Sequence, residues 1–125
     1  MARNKSAPLT DAELRLMEVL WIRESATVAD VVENLPQPPS SYSTVLTILR
    51  ILENKGYVRH TKQGRAFVFH PLVGRQQARE SALNHLLRKF FENSPELLLL
   101  SLVEAKKIDA AHLNRLQERN LEPES

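Results

Sequence analysis

The sequence predicts a mostly α-helical protein with one small β-hairpin, in which a head of three helices and a hairpin precedes a helical tail. Three observations lead there. Capping residues and apolar repeats at helical spacing run through residues 10–55, two short β-rich runs flank Gly64, and helical periodicity resumes beyond Gly74. With 125 residues, 42% of them hydrophobic and 26% charged, the chain has the length of one domain, or of one domain plus an appendage, and the balance of a soluble globular protein.

Residues 1–8 read as a loose arm, residues 9–74 as the head, and residues 75–125 as the helical region with a frayed end. Thr10 is placed to cap a first helix, with Glu13 three residues on completing a capping box. Leu14, Met17, Leu20 and Trp21 carry that helix to Arg23. Thr27 opens a short second helix bearing Val28, Val31, Val32 and Leu35, and Pro36, Pro38 and Pro39 end it. Ser40 or Ser41 caps a third helix that runs to Lys55 and stops at Gly56, a residue suited to a helix C-terminus. Tyr57–Lys62 and Ala66–His70 read as strands joined by Gln63-Gly64-Arg65, and Pro71 closes them. Three helices followed by a hairpin is the order of a winged helix-turn-helix. A helix over residues 75–93 follows, then one begun by Ser94-Pro95, an N-cap with proline at the first helical position. Asp109 caps a last helix carrying Leu113 and Leu116.

The third helix divides by chemistry. Consecutive helical residues step by about 100°, so Ser43, Thr47, Arg50 and Asn54 fall on one side and Val45, Ile48, Leu49 and Leu52 on the other. The apolar side must pack on the first two helices, which leaves the polar side free to enter a major groove. Hydroxyls near a helix start suit base edges and phosphates. Ser41, Tyr42, Ser43, Thr44, Thr47 and Arg50 are therefore the candidate DNA-binding residues, Tyr42 suiting a phosphate and Arg50 either a phosphate or a guanine, with Leu46 flanking them as a candidate partner for a thymine methyl. Arg59, Lys62 and Arg65 on the hairpin are candidates for flanking phosphates or the minor groove. Net charge is only +2, but residues 41–75 hold six bases against one acid, a local balance of +5, while residues 92–125 hold four bases against seven acids, or −3. One end suits phosphates and the other does not.

In the tail, Leu83, Leu86, Leu87, Phe90, Phe91, Leu97, Leu98, Leu100, Leu113 and Leu116 are the candidate dimerisation residues, because the 97–100 run is apolar on more sides than one surface covers. The absence of cysteine excludes disulfides, cysteine zinc sites and thiol nucleophiles. No apolar run approaches the roughly 18 residues of a membrane span, and no apolar segment follows the basic start, so a cytoplasmic location is expected. His60, His70, His85 and His112 show no ligand spacing along one helix; His60 and His70, on opposite strands, are the nearest approach to a pair. The acids Asp11, Glu13, Asp30 and Glu33 are explained by helix starts, and three glycines form no phosphate loop. Neither an enzyme nor a cofactor is expected. Trp21 and the phenylalanines read as core.

Leu9-Thr10-Asp11-Ala12-Glu13-Leu14 with Val19-Leu20-Trp21, then Ala29-Asp30-Val31-Val32, the run from Tyr42 to Val58, and Gly64-Arg65-Ala66-Phe67-Val68-Phe69-His70-Pro71 together resemble the penicillinase-repressor family. That group includes the beta-lactamase and methicillin-resistance repressors and the copper-responsive repressors, and the resemblance spans residues 9–80. It implies a homodimer on a two-fold symmetric DNA operator, paired through C-terminal helices, and a membrane receptor with a protease domain as partner. In beta-lactam-responsive members the repressor is cut at an Asn-Phe bond; this chain has Lys89-Phe90-Phe91 and Asn93-Ser94 but no Asn-Phe pair. Copper-responsive members use paired cysteines, which this chain lacks. The function expected is a sequence-specific dimeric repressor. The alternative is a winged-helix module that binds protein, a class that usually loses the basic hairpin retained here.

Overall fold

A computed structural model of the chain describes residues 8–36 and 38–121. In order it forms α1 (Asp11–Arg23), β1 (Ala26–Thr27), α2 (Val28–Asn34), α3 (Tyr42–Asn54), β2 (Val58–Gln63), β3 (Ala66–Pro71), α4 (Arg75–Phe90), α5 (Pro95–Glu104) and α6 (Ala110–Leu121). Contacts divide the chain into two compact units, with the division falling inside α4 between His85 and Leu86. The expected loose arm, apart from Pro8, and residues 122–125 of the expected frayed end lie outside the described residues.

The helix starts are held by reciprocal caps. The Thr10 hydroxyl accepts the Glu13 N–H at 3.1 Å, while the Glu13 carboxylate accepts the Thr10 N–H at 2.9 Å. Thr27 and Asp30 repeat the arrangement at α2, both bonds being 3.1 Å. At the end of α3, Gly56 (φ 86°) takes the left-handed conformation. Its N–H donates to the Glu53 carbonyl and that of Tyr57 to the Leu52 carbonyl, the paired bonds of a Schellman motif. Because Tyr57 closes the helix in this way, β2 begins one residue later than the sequence suggests. The hairpin turn is the two residues Gly64-Arg65, with Gln63 facing Ala66; Gly64 at φ 61° supplies the positive angle that a tight hairpin needs.

The sheet contains a strand the sequence reading lacked. β1 pairs antiparallel with β3, Ala26 facing Phe69 and Thr27 facing Val68, so the strand order is β1-β3-β2. Against this sheet α1, α2 and α3 bury Leu16, Met17, Leu20, Val31, Val45, Leu49, Leu52, Val58 and Phe69. Each fully buried apolar side chain stabilises the head by about 1.5–3 kcal/mol relative to exposure. Trp21, expected as core, sits at its margin. The indole N–H donates to the Val73 carbonyl at 2.9 Å, and the Arg75 guanidinium lies 5.3 Å over the ring while pairing with Glu18 at 2.8 Å. Trp21 needs that marginal place because a buried indole N–H requires a partner. The phenylalanines divide: Phe69 is core, Phe67 half-buried and Phe90 exposed.

The second unit is capped as the sequence indicates at two points and differs at a third. The Ser94 hydroxyl accepts the Leu97 N–H at 3.1 Å with Pro95 at the start of α5, and Asp109 accepts the His112 N–H at 2.9 Å at the start of α6. α4 stops at Phe90 instead of continuing to residue 93, because Glu92 (φ 50°) and Asn93 (φ 58°) turn left-handed. The Leu87 carbonyl then accepts from both Phe91 and Asn93, closing the helix.

Glu13 is the one charged residue among the buried set of the described residues. Its carboxylate accepts from the Lys55 ammonium at 2.8 Å, which joins the start of α1 to the end of α3. Burial alone would push the Glu13 carboxyl up; the bonds from Lys55 and Thr10, with the Lys55 charge, outweigh it and hold the carboxyl below its ordinary 4.5. The pair therefore stabilises the fold fully above the unfolded value, and the contribution is lost as pH falls through the lowered folded one. Lys55→Met is expected to lower the unfolding free energy by about 3 kcal/mol, the cost of leaving a buried carboxylate with half its partners. Denaturant titrations at stepwise lower pH should show the parent chain losing stability below its ordinary 4.5 and the variant losing less. The same pH dependence in both would refute this role for the pair.

Candidate nucleic-acid interface

Helix α3 is fixed by its inner row. Val45, Leu49 and Leu52 are each 0% exposed, so the opposite row is turned outward. Ser43, Thr44, Thr47, Arg50 and Asn54 are all exposed along it, and Ser41 and Tyr42 stand exposed at the helix start. Ser41 is the N-cap, accepting the Thr44 N–H at 3.2 Å, with its own hydroxyl donating to the Thr44 hydroxyl at 3.0 Å. The Thr47 hydroxyl donates to the Ser43 carbonyl at 2.9 Å, so what Thr47 offers outward is its acceptor lone pairs and its methyl group. Leu46 is half-buried and packs against the head core, which leaves only part of its side chain for the outer face. Ile51, 41% exposed, was not among the sequence candidates. Eight residues beyond Ser43, it falls about 80° round the same helical wheel, so the helical period alone places it beside the polar row.

On the hairpin, Arg59, Lys62 and Arg65 are exposed, but they do not share one face. Arg59 faces His70 across the ladder and Lys62 faces Phe67, with odd and even positions of β2 pointing oppositely; Arg65 stands in the turn. Among the described residues, none of Arg50, Arg59, Lys62 and Arg65 forms an ion pair. These four cations, on one helix and on both faces of the adjoining hairpin, supply charge suited to phosphates.

The same alternation separates the two wing histidines. His60 shares its face with Phe69, and His70 with Arg59. His60 Nδ1 lies 2.7 Å from Glu53 Oε2, whereas His70 Nε2 lies 3.0 Å from the Thr61 hydroxyl. Burial and then the nearby Arg59 charge push the His70 ring below its ordinary value. Opposite faces keep the two rings from meeting on one metal ion.

The tail candidates differ in availability. Leu83, Leu86, Phe90, Leu100 and Leu116 are exposed, Phe90 at 65% and Leu100 at 53%. Phe91, Leu97, Leu98 and Leu113 are half-buried. Leu87, at 8% exposure, is already covered within the chain and has no surface left to offer a partner. No residue of α5 is buried, and Leu99, Leu102 and Val103 on that helix are exposed apolar side chains the sequence candidates did not include. Among the described residues no helix is long and apolar enough to cross a membrane.

The chain is similar to several known proteins. The penicillinase repressor of Bacillus licheniformis is 28% identical over 113 residues, covering 90% of this chain and 88% of that protein. The methicillin resistance regulatory protein MecI of Staphylococcus aureus strain N315 is 22% identical over 115 residues, covering 91% of this chain and 94% of that one. The solution structure of the DNA-binding domain of the repressor BlaI superimposes with a TM-score of 0.53 at 32% identity, covering 62% of this chain and 93% of that domain. The family model for penicillinase repressors matches residues 9–121. With nearly its whole length matched and a winged helix-turn-helix head in common with BlaI, the chain belongs to the penicillinase repressor family.

Proposed function

We propose that this protein is a sequence-specific transcriptional repressor that binds a palindromic operator as a homodimer, acting by occupancy and without catalysis, in the cytoplasm. The observation that carries the reading is the outward row of α3, with Arg50 in it, beside the hairpin cations Arg59, Lys62 and Arg65, none of the four in an ion pair among the described residues. In this reading α3 enters the major groove with Ser43 and Thr47 toward base edges, while Ser41, Tyr42 and Thr44 meet the phosphates at the helix start and Arg50 meets a phosphate two turns further in. Arg59, Lys62 and Arg65 serve the flanking backbone or minor groove. Residues 75–125 serve as the dimerisation region. There the exposed apolar side chains of α4, α5 and α6 become buried against a second copy, placing two heads on half-sites one helical turn apart, about 34 Å. Release of the operator by a cut at an Asn-Phe bond is not part of this reading, since the chain has no such pair.

Salt dependence on a duplex selected from a randomised pool is the direct test. Two protomers each neutralising four phosphates predict a slope of log K against log salt of about −7. Binding that ignores salt, or no duplex recovered, would favour the protein-binding module. In Thr47→Ala/Arg50→Ala, affinity for the selected duplex should fall at least about tenfold and the slope should become shallower by about 2, one contact per protomer. The dimer mass should be unchanged; a monomer would mean that this face of α3 packs within the protein.

Leu86 and Phe90 lie one helical turn apart and both are exposed. Leu86→Glu/Phe90→Glu is expected to give monomers by sedimentation, with helical content kept. DNA affinity should fall by about 100-fold or more as the two heads bind independently. A retained dimer mass would remove α4 from the proposed interface.

A further inference from the structure

We infer that Glu53 and His60 form a clamp that positions the hairpin for DNA, which makes them positioning residues of the interface although neither need touch DNA. This rests on the DNA-binding reading above. Glu53 is the one acid in residues 41–75, a segment otherwise carrying six bases. A carboxylate beside a phosphate-binding surface repels phosphates whether or not it accepts a hydrogen bond, so its presence there points to a role within the protein. Glu53 Oε2 sits 2.7 Å from His60 Nδ1, and since a carboxylate only accepts, the ring nitrogen carries the donated hydrogen. The bond ties the last turn of α3 to the first half of β2, the hairpin's first strand, with Glu53 23% and His60 41% exposed.

The ring is held from its other side as well. It meets Phe67 edge-on at 5.2 Å and 76°, and lies tilted against Phe69 at 5.5 Å. Phe69 belongs to the buried head core and Phe67 packs against it. His60 is thus fixed between a core aromatic pair and the end of the reading helix. Lys62, the next residue on the same face of β2, faces Phe67 and lies two positions before the turn that carries Arg65. The clamp therefore sets where Lys62 and Arg65 stand relative to Thr47 and Arg50. A two-stranded hairpin tip has little stability of its own, so a contact to the helix is what gives it a fixed angle.

The test is a double-mutant cycle on the full-length protein with the selected duplex. Glu53→Ala and, separately, His60→Ala should each weaken binding by about tenfold, within the coupling range of contacting networks. Hydroxyl-radical protection should be lost at the flanking phosphates and kept at the centre. In a Lys62→Ala/Arg65→Ala background the same substitutions should change affinity less than about twofold, because the two cations that the clamp positions are gone. Glu53→Gln, which keeps an acceptor for the ring N–H, should retain most of the parent affinity. An unchanged or tighter complex for Glu53→Ala would overturn the clamp, as would an equal loss in both backgrounds. Failure of the parent protein to bind any duplex would instead overturn the DNA-binding reading itself.

Discussion

The orientation of α3 rests on one constraint, the complete burial of Val45, Leu49 and Leu52. These three side chains occupy one side of a 13-residue helix, and removing all three from water is worth several kcal/mol. A rotation by one residue, about 100°, would expose part of that row and drive Arg50 or Thr47 toward the core, where an unpaired guanidinium is strongly disfavoured. Burial on one side thus dictates chemistry on the other. The hydroxyls and the guanidinium stand outward because the aliphatic groups cannot.

Polar contacts then refine what burial establishes. The Glu13–Lys55 pair ties the start of α1 to the end of α3 and lets one carboxylate serve both as a helix cap and as an interhelix partner. At the opposite margin, Trp21 bonds to Val73 and lies under Arg75, so the residues entering α4 are fastened to α1. The hairpin is held by its ladder and by His60 against Phe67, Phe69 and Glu53. The first and third of these devices join an element that reads or flanks DNA in the proposed function to a buried support.

The tail follows a different logic. α5 is caught between good local signals for a helix, Ser94 and Pro95, and a surface of leucines with none buried. Local capping is enough to define the helix; it is not enough to cover it. Exposed Leu99, Leu100, Leu102 and Val103 in one stretch form the kind of apolar surface that soluble chains ordinarily bury against a partner, and this supports pairing through the C-terminal helices.

What the sequence determined by itself was whatever depends on neighbours within a few residues. Thr10, Ser41, Ser94-Pro95, Asp109, Gly56 and Gly64 act over three or four positions, and all are found at the element boundaries they signal. The outward face of α3 was legible for the same reason, because the helical period is local. Tertiary structure alone decided the rest. Two residues of β1 carry no periodicity, and they become a strand only because β3 offers them a ladder. The stop of α4 at Phe90 depends on two non-glycine residues accepting left-handed angles. The separation of His60 from His70, the scatter of the wing cations over two faces, and the Glu53–His60 bond all follow from strand register and from the docking of the hairpin beside α3. Register and docking are set by contacts between residues distant in the chain, and no local pattern encodes them.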